Sequence, residues 1–206
     1  MLKRKAMDAL INWKNNNDGQ ALLVSGARQV GKTYLIEQFI HKNYEHVVKF
    51  DLVDQVDVKK ALDVVSNSQE LFMALSAYAG SGMVPGKTVI FIDEVQECKE
   101  ALTLVKYLVQ RKGFDYILSG SLLGVELRDM RSAPVGYLHV LDMYPLDFEE
   151  FLWANGIGEE MITMLQGYLQ REETIPEALH QRLRELLLQY IVVGGMPNVV
   201  QNFVDS

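Results

Sequence analysis

The segment that most constrains this chain is residues 26–33, which read GARQVGKT. It follows the apolar run 21–25 and precedes a stretch, 34–40, whose apolar residues recur at helical spacing. A G-x-x-x-x-G-K-[ST] segment between a strand and a helix is typical of a loop that binds phosphate through its backbone N–H groups. The sequence therefore predicts a phosphate-binding loop at the carboxyl end of a buried strand.

The residues of this loop suit different parts of a bound nucleotide. Gly26 and Gly31 permit the dihedral angles that aim successive N–H groups at phosphate, and a helix that begins near Lys32 adds its positive N-terminal end. Lys32 is the expected catalytic cation at the β and γ phosphates, and the Thr33 hydroxyl is an expected Mg²⁺ ligand. The predicted nucleotide-binding residues are Gly26, Ala27, Arg28, Gln29, Val30, Gly31, Lys32, Thr33 and Tyr34.

Two acidic residues, Asp93 and Glu94, follow the apolar run 88–92. A carboxylate at the end of a buried strand is costly unless it meets a cation, so Asp93 is predicted to hold Mg²⁺ through its water shell. Glu94 is the candidate to orient and deprotonate an attacking water. The pair could also be plain solvated acids at a strand terminus, but the upstream loop favours the catalytic interpretation.

A group that senses the γ phosphate is expected at the end of a later strand. Ser119 is the catalytic candidate and Ser121 lies just beyond it, although a serine-glycine turn also explains both. Arg128 and Arg131 follow this strand and could act on the nucleotide of a neighbouring subunit as arginine fingers. Surface arginines are commoner than arginine fingers, so that role is the weaker interpretation.

Predicted strands alternate with predicted helices through the first two thirds of the chain. This alternation implies right-handed crossovers and an open three-layer α/β fold with a parallel sheet, which binds nucleotide beyond the carboxyl ends of its strands. After Pro145 the pattern is helical: Asp147 can cap one helix, and a second one places Leu186 and Leu187 inward. We therefore predict a core at 1–146 and a helical appendage at 147–206.

Composition excludes some classes of protein. Hydrophobic residues make up 49% of the chain and charged residues 23%, with a net charge of -7, which is ordinary for a globular protein and argues against a generally nucleic-acid-coating surface. The chain has one cysteine, so it has no disulfide framework, and a reducing cytoplasmic location is expected. Its apolar runs are shorter than a membrane span, so no membrane partner is expected.

These residues together resemble the bacterial and archaeal AAA-type P-loop ATPases that carry a C-terminal domain of unknown function. The matching segments are 21–33, 89–96 and 118–121, then MYPLDFEEFL at 143–152 and GGMP at 194–197. The resemblance implies a five-stranded sheet of order 5-1-4-3-2, ATP and Mg²⁺ as ligands, and Ser119 at the sensor position. Members of that family usually continue past the Gly-Gly-x-Pro segment, so residues 147–206 are expected to lead into a domain that this chain lacks.

The leading functional hypothesis is Mg²⁺-dependent ATP hydrolysis coupled to conformational change on an unknown protein or nucleic-acid partner, with a homo-oligomer left open. One alternative is a nucleotide-responsive binding switch that does not hydrolyse ATP, and a weaker one is a P-loop small-molecule kinase whose lid would include residues 128–131. Glu94 favours hydrolysis, since a pure switch has less need of a base beside the metal ligand. Spacing alone does not select ATP over GTP, so the choice of ATP depends on the resemblance.

Overall fold

The computed structural model describes residues 2–17, 19–80, 83–121 and 136–206. Its centre is a parallel sheet with the strand order β2-β3-β4-β1-β5. The strands are β1 (Ala21–Ser25), β2 (His46–Asp51), β3 (Thr88–Asp93), β4 (Phe114–Gly120) and β5 (Leu138–Asp142). The predicted α/β class and the order 5-1-4-3-2, which is the same order read from the other edge, are both confirmed.

Helices cover both faces of this sheet, which makes three layers. They are α1 (Ala6–Asn15), α2 (Lys32–Asn43), α3 (Val56–Asp63), α4 (Ser68–Ala79), a 3₁₀ helix (Val95–Glu97) and α5 (Lys99–Val109). One apolar cluster joins the sheet to α1 and α2, and a second joins it to α3, α4 and α5. Because both faces are covered, β1 and β3 are buried at every position, and their sequences read as continuous apolar runs. The core is therefore a three-layer α/β P-loop NTPase fold.

The chain divides into two compact units, of which Ala6–Met143 is one and the residues up to Lys5 with Tyr144–Ser206 are the other. The second unit is helical and contains α6 (Phe148–Ala154), α7 (Glu159–Gln170), α8 (Glu177–Val193) and α9 (Pro197–Val204). Its buried apolar residues are Leu146, Phe151, Leu152, Leu186 and Val200. We refer to the two as the sheet unit and the helical unit.

Polar contacts define the start of the helical unit. Asp147 caps α6 in a capping box with Glu150, as the sequence predicts. Glu150 is buried and also accepts hydrogen bonds from Arg4 Nε at 3.2 Å and from the Lys5 backbone N–H at 2.7 Å. Arg4 Nη2 donates to the Tyr144 carbonyl oxygen at 2.6 Å. The residues before α1 are thus held by the helical unit.

A close backbone approach joins the two family-like segments of this unit. Leu146 N–H donates to the Gly195 carbonyl oxygen at 2.7 Å, and Tyr190 Oη donates to the Leu146 carbonyl oxygen at 2.7 Å. A Cβ at Gly195 would overlap that same Leu146 oxygen. Gly195 therefore does more than end α8, because no larger residue fits there.

The structure corrects the predicted inward face of α8. Leu186 is fully buried, whereas the adjacent Leu187 is exposed. Consecutive residues of an α-helix point about 100° apart, so only one of the two occupies the centre of the buried stripe. Helices α7 and α9 had no counterpart in the sequence prediction.

Within the described residues, no helix combines the length and the apolar content that crossing a bilayer requires.

Candidate nucleotide-binding site

The loop at 26–31 joins the buried β1 to α2 at the carboxyl edge of the sheet. Gly31 caps α2 with φ 90°, a conformation that glycine adopts without steric cost, and Gln29 also has a positive φ of 66°. Met143 N–H, just beyond β5, donates to the Ser25 carbonyl oxygen at 2.7 Å. A Cβ at Gly26 would overlap the Met143 carbonyl oxygen. The first glycine of the motif is thus required by the close approach of the backbone just beyond β5, whereas a left-handed φ is found at Gly31 and not at Gly26.

Lys32 is the first residue of α2, and it is only 5% exposed. Its ammonium donates to the carbonyl oxygens of Gly26 and Ala27, both at 2.9 Å. Burial lowers the pKa of Lys32, and the charges of Glu94 and Asp93 act in the opposite direction. A buried cation is therefore held within the loop, near two carboxylates.

Asp93 ends β3 and is 2% exposed, and hydrogen-bond donors surround its carboxylate. Thr33 Oγ1 donates to Oδ2 at 2.8 Å, and Ser119 Oγ donates to Oδ1. The Glu94 backbone N–H also donates to Oδ1, at 3.1 Å. Parallel pairing of β3 with β4 brings Ser119 beside Asp93. The structure thus joins the predicted metal and sensor residues at one point.

Glu94 has a left-handed backbone, with φ 53° and ψ 47°, and it caps the 3₁₀ helix. Gln96, within that helix, donates from Nε2 to Glu94 Oε2. Sequence reasoning did not assign Gln96 a role. Its only signal is its position two residues beyond the predicted base, and that spacing alone predicts no contact.

The remaining predicted site residues differ in how far their side chains are exposed to solvent. Val30 is fully buried, so only its backbone can serve a ligand. Tyr34 is well exposed on the first turn of α2, and the positive charge of Arg28 contributes to the lowered pKa of Lys32. Ser121 is buried, and Arg128 and Arg131 lie outside the described residues.

The residues present fit Mg²⁺ bound with a nucleotide. Thr33 and Asp93 offer oxygen atoms, which Mg²⁺ prefers, on two neighbouring elements. Within the described residues no group of three or more His, Cys, Asp or Glu side chains could hold a metal ion. A Mg²⁺ ion that binds one or two protein oxygens and the phosphates of a substrate does not need such a group.

The sequence of this chain matches a known protein family. The model of the AAA domain family matches residues 18–152, which is more than half of the chain. The chain belongs to this family. As an AAA domain of the P-loop class it has the fold of a nucleotide-binding ATPase.

The AAA domain also matches two uncharacterized proteins of Methanocaldococcus jannaschii. MJ1637 is 24% identical over 201 residues, which cover 91% of this chain and 40% of the relative. MJ1544 is 25% identical over 178 residues, which cover 86% of this chain and 35% of that relative. The chain therefore spans well under half the length of these relatives.

Solved structures share the fold at low sequence identity. The Walker-type ATPase PABY2304 of Pyrococcus abyssi has a TM-score of 0.53 at 17% identity, covering 97% of this chain and 66% of that one. Drosophila ORC bound to DNA has a TM-score of 0.56 at 14% identity, covering 97% and 60%. The RuvB Holliday junction branch migration motor of Thermotoga maritima has a TM-score of 0.51 at 14% identity, covering 99% and 61%.

Proposed function

We propose that this AAA domain binds ATP with Mg²⁺, hydrolyses it, and couples the nucleotide state to a conformational change on a partner. The observation that carries the proposal is the 2.8 Å hydrogen bond from Thr33 Oγ1 to Asp93 Oδ2. It links the phosphate-binding loop to the acidic end of the central strand, where the two proposed metal ligands must meet.

Each polar residue at this edge has a distinct proposed task. Lys32 exchanges the carbonyl oxygens of Gly26 and Ala27 for the β and γ phosphate oxygens of the nucleotide, while the loop N–H groups and the start of α2 hold the remaining phosphate charge. Thr33 and Asp93 hold Mg²⁺, which when bound would neutralise charge on the phosphates. Nucleotide-binding contacts are also proposed for Arg28 and Tyr34.

Glu94 is the proposed base. It orients a water molecule and accepts its proton as the water oxygen attacks the γ phosphorus. Ser119 is the proposed sensor: its hydroxyl donates to Asp93 and can move to a γ phosphate oxygen, which would relate β4 to the nucleotide state.

The partner of the domain is proposed only as a class. Drosophila ORC is bound to DNA and RuvB is a branch migration motor, so a nucleic acid is one candidate and a protein is the other. The net charge of -7 restricts a nucleic-acid contact to a local patch. A homo-oligomer, a reducing cytoplasmic location and a division of labour between residues 1–146 and 147–206 belong to the same proposal.

The proposal is tested by calorimetric titration with ATP and with a non-hydrolysable analogue, each with Mg²⁺. We expect Lys32→Ala to weaken binding about 100-fold, because charged hydrogen bonds contribute about 1.5–3 kcal/mol each. Lys42→Ala is the matched control, since Lys42 is an exposed lysine in the last turn of the same helix. Equal binding by both variants would contradict the proposal.

Phosphate release on the same samples tests turnover. Glu94→Gln should lower release by about 10²–10⁴-fold and keep binding, whereas Glu97→Gln, which alters a neighbouring acid paired with Lys59, should retain both. Binding without release in the unmodified chain would support the non-hydrolysing switch instead. Phosphate transfer to an added small molecule would support the kinase alternative.

A further inference from the structure

The chain makes an unusual turn as it leaves β3. Glu94 lies in the left-handed region, which residues with a Cβ seldom adopt, and the 3₁₀ helix Val95–Glu97 follows at once. This turn brings the side chain of Gln96 back over Glu94, so that Nε2 donates to the carboxylate oxygen Oε2. An ionised carboxylate only accepts hydrogen bonds, so the amide nitrogen and not the amide oxygen must face it.

The amide oxygen of Gln96, Oε1, does not stabilise the fold through a hydrogen bond to any described residue. Oε1 is buried, and it has no hydrogen-bond partner among the residues that the structure describes. A buried oxygen without a partner is destabilising, and an apolar side chain of similar shape would avoid that loss. Within the described part of the chain, the contact that requires an amide at this position is therefore the one to Glu94.

Glu94 itself is close to the phosphate-binding loop. It follows Asp93 directly, and the Asp93 carboxylate accepts a hydrogen bond at 2.8 Å from Thr33 Oγ1, just after that loop. Its backbone N–H is fixed by Asp93 Oδ1 at 3.1 Å. Gln96 therefore restrains a carboxylate whose backbone is already anchored at the candidate metal ligand.

We propose that Gln96 is the positioning residue for ATP hydrolysis. Its amide holds Glu94 Oε2 and so leaves Oε1 to accept the proton of the attacking water. In that step the water oxygen forms a bond to the γ phosphorus, the bond from this phosphorus to the β,γ-bridging oxygen breaks with its electron pair on ADP, and the water proton goes to Oε1. The inference rests on the proposed hydrolytic function.

A positioning role for Gln96 predicts a specific kinetic pattern. The loop binds the nucleotide without Gln96, so loss of the amide should lower kcat and leave the ATP dissociation constant within about twofold of its original value. One hydrogen bond to a charged group corresponds to a loss of about 10- to 150-fold. Most of that range lies below the contribution of about 10²–10⁴-fold that a general base typically makes.

The experiment compares five variants for kcat, KM, analogue affinity and melting temperature, and the first of them is Glu94→Gln alone. Gln96→Met removes the donor, keeps a similar length and buries no unpaired oxygen, so it should fold normally. Gln96→Glu keeps the shape and places a like charge beside Glu94, so its kcat should be lower still. The control is Gln69→Met, which alters an exposed glutamine in the first turn of α4. The fifth variant combines Gln96→Met with Glu94→Gln.

The double variant decides whether Gln96 acts through Glu94. We expect its residual kcat to equal that of Glu94→Gln alone, because an amide that only positions a base has no effect once the base is removed. An unchanged or raised kcat in Gln96→Met, a parallel loss of nucleotide affinity, or a further loss in the double variant would overturn the inference. If Glu94→Gln lowers hydrolysis while Gln96→Met does not alter it, only this inference fails; if the unmodified chain releases no phosphate, both proposals fail.

Discussion

The carboxyl edge of the sheet and the helical unit both bury charged residues, but their contacts differ. At the sheet edge Lys32 is bound by carbonyl oxygens of its own loop, and Asp93 is bound by hydroxyl groups that a ligand could replace. In the helical unit Glu150 accepts from Arg4, from the Lys5 N–H and from the Asp147 N–H that it caps. We propose that the first set of contacts exchanges for phosphate and metal, whereas the second set holds the helical unit together.

The surfaces of the two regions differ as well. The last turns of α8 expose Leu188, Ile191 and Val192, the last with 86% of its surface accessible. The strands that lead to the candidate site, β1 and β3, are buried throughout. The sheet unit thus has an extensive apolar core, while the helical unit combines a smaller apolar cluster with the buried pair Arg4 and Glu150. Substitutions in the two regions should therefore separate stability from nucleotide handling.

The largest effect on stability is expected from Glu150→Ala. It leaves Arg4 buried without its carboxylate and removes the capping-box acceptor of α6, and breaking such a pair costs about 3–5 kcal/mol. The measurement is the free energy of unfolding in denaturant, with nucleotide affinity measured under native conditions and expected to be retained. Glu160→Ala, at an exposed glutamate in the first turn of α7, is the control. A loss below about 1 kcal/mol would show that the pair contributes only as a surface salt bridge does.

A smaller effect is expected from two glycine substitutions that sharpen the comparison. Gly26→Ala and Gly195→Ala each place a Cβ against a backbone carbonyl oxygen, and overpacking of this kind costs about 1–3 kcal/mol. Only Gly26→Ala should also weaken ATP binding, because only that glycine lies in the phosphate-binding loop. The readouts are the free energy of unfolding and the ATP dissociation constant.

The glycine control is Gly158→Ala, because a Cβ at Gly158 has no atom within 4 Å. Its free energy of unfolding should stay within about 1 kcal/mol of the original. If Gly195→Ala weakened ATP binding as much as Gly26→Ala, the separation between the two regions would be wrong.

Local sequence patterns predicted the sheet unit well. The loop at 26–33 carries its own conformational requirements, and the apolar runs of β1 and β3 identify central strands, so parallel topology alone brings Asp93 and Ser119 to one edge. The capping box at Asp147 is likewise a local pattern, and the structure confirms it.

Other features depend on contacts that a local pattern does not contain. Arg4 and Glu150 are 146 residues apart in sequence. The bond between Gln96 and Glu94 requires a left-handed glutamate, which no propensity predicts. Helix α7 is different: none of its residues is buried, but Met161, Leu165 and Tyr168 recur at helical spacing, a local pattern that the sequence prediction did not use.

The smallest effect on stability is expected from Asp93→Asn, and it separates folding from metal binding most clearly. Removing a buried charge relieves its desolvation, while the amide keeps one acceptor for Thr33 or Ser119, so the opposing contributions should leave the free energy of unfolding within about 1 kcal/mol. The increase in ATP affinity caused by Mg²⁺ should nevertheless disappear, because one of the two proposed metal ligands is neutralised. Asp51→Asn is the control, since Asp51 pairs with Asp93 in the sheet register but accepts from the backbone of its own turn. Full Mg²⁺ dependence in Asp93→Asn would mean that this carboxylate serves the fold, and the sheet edge would then resemble the helical unit after all.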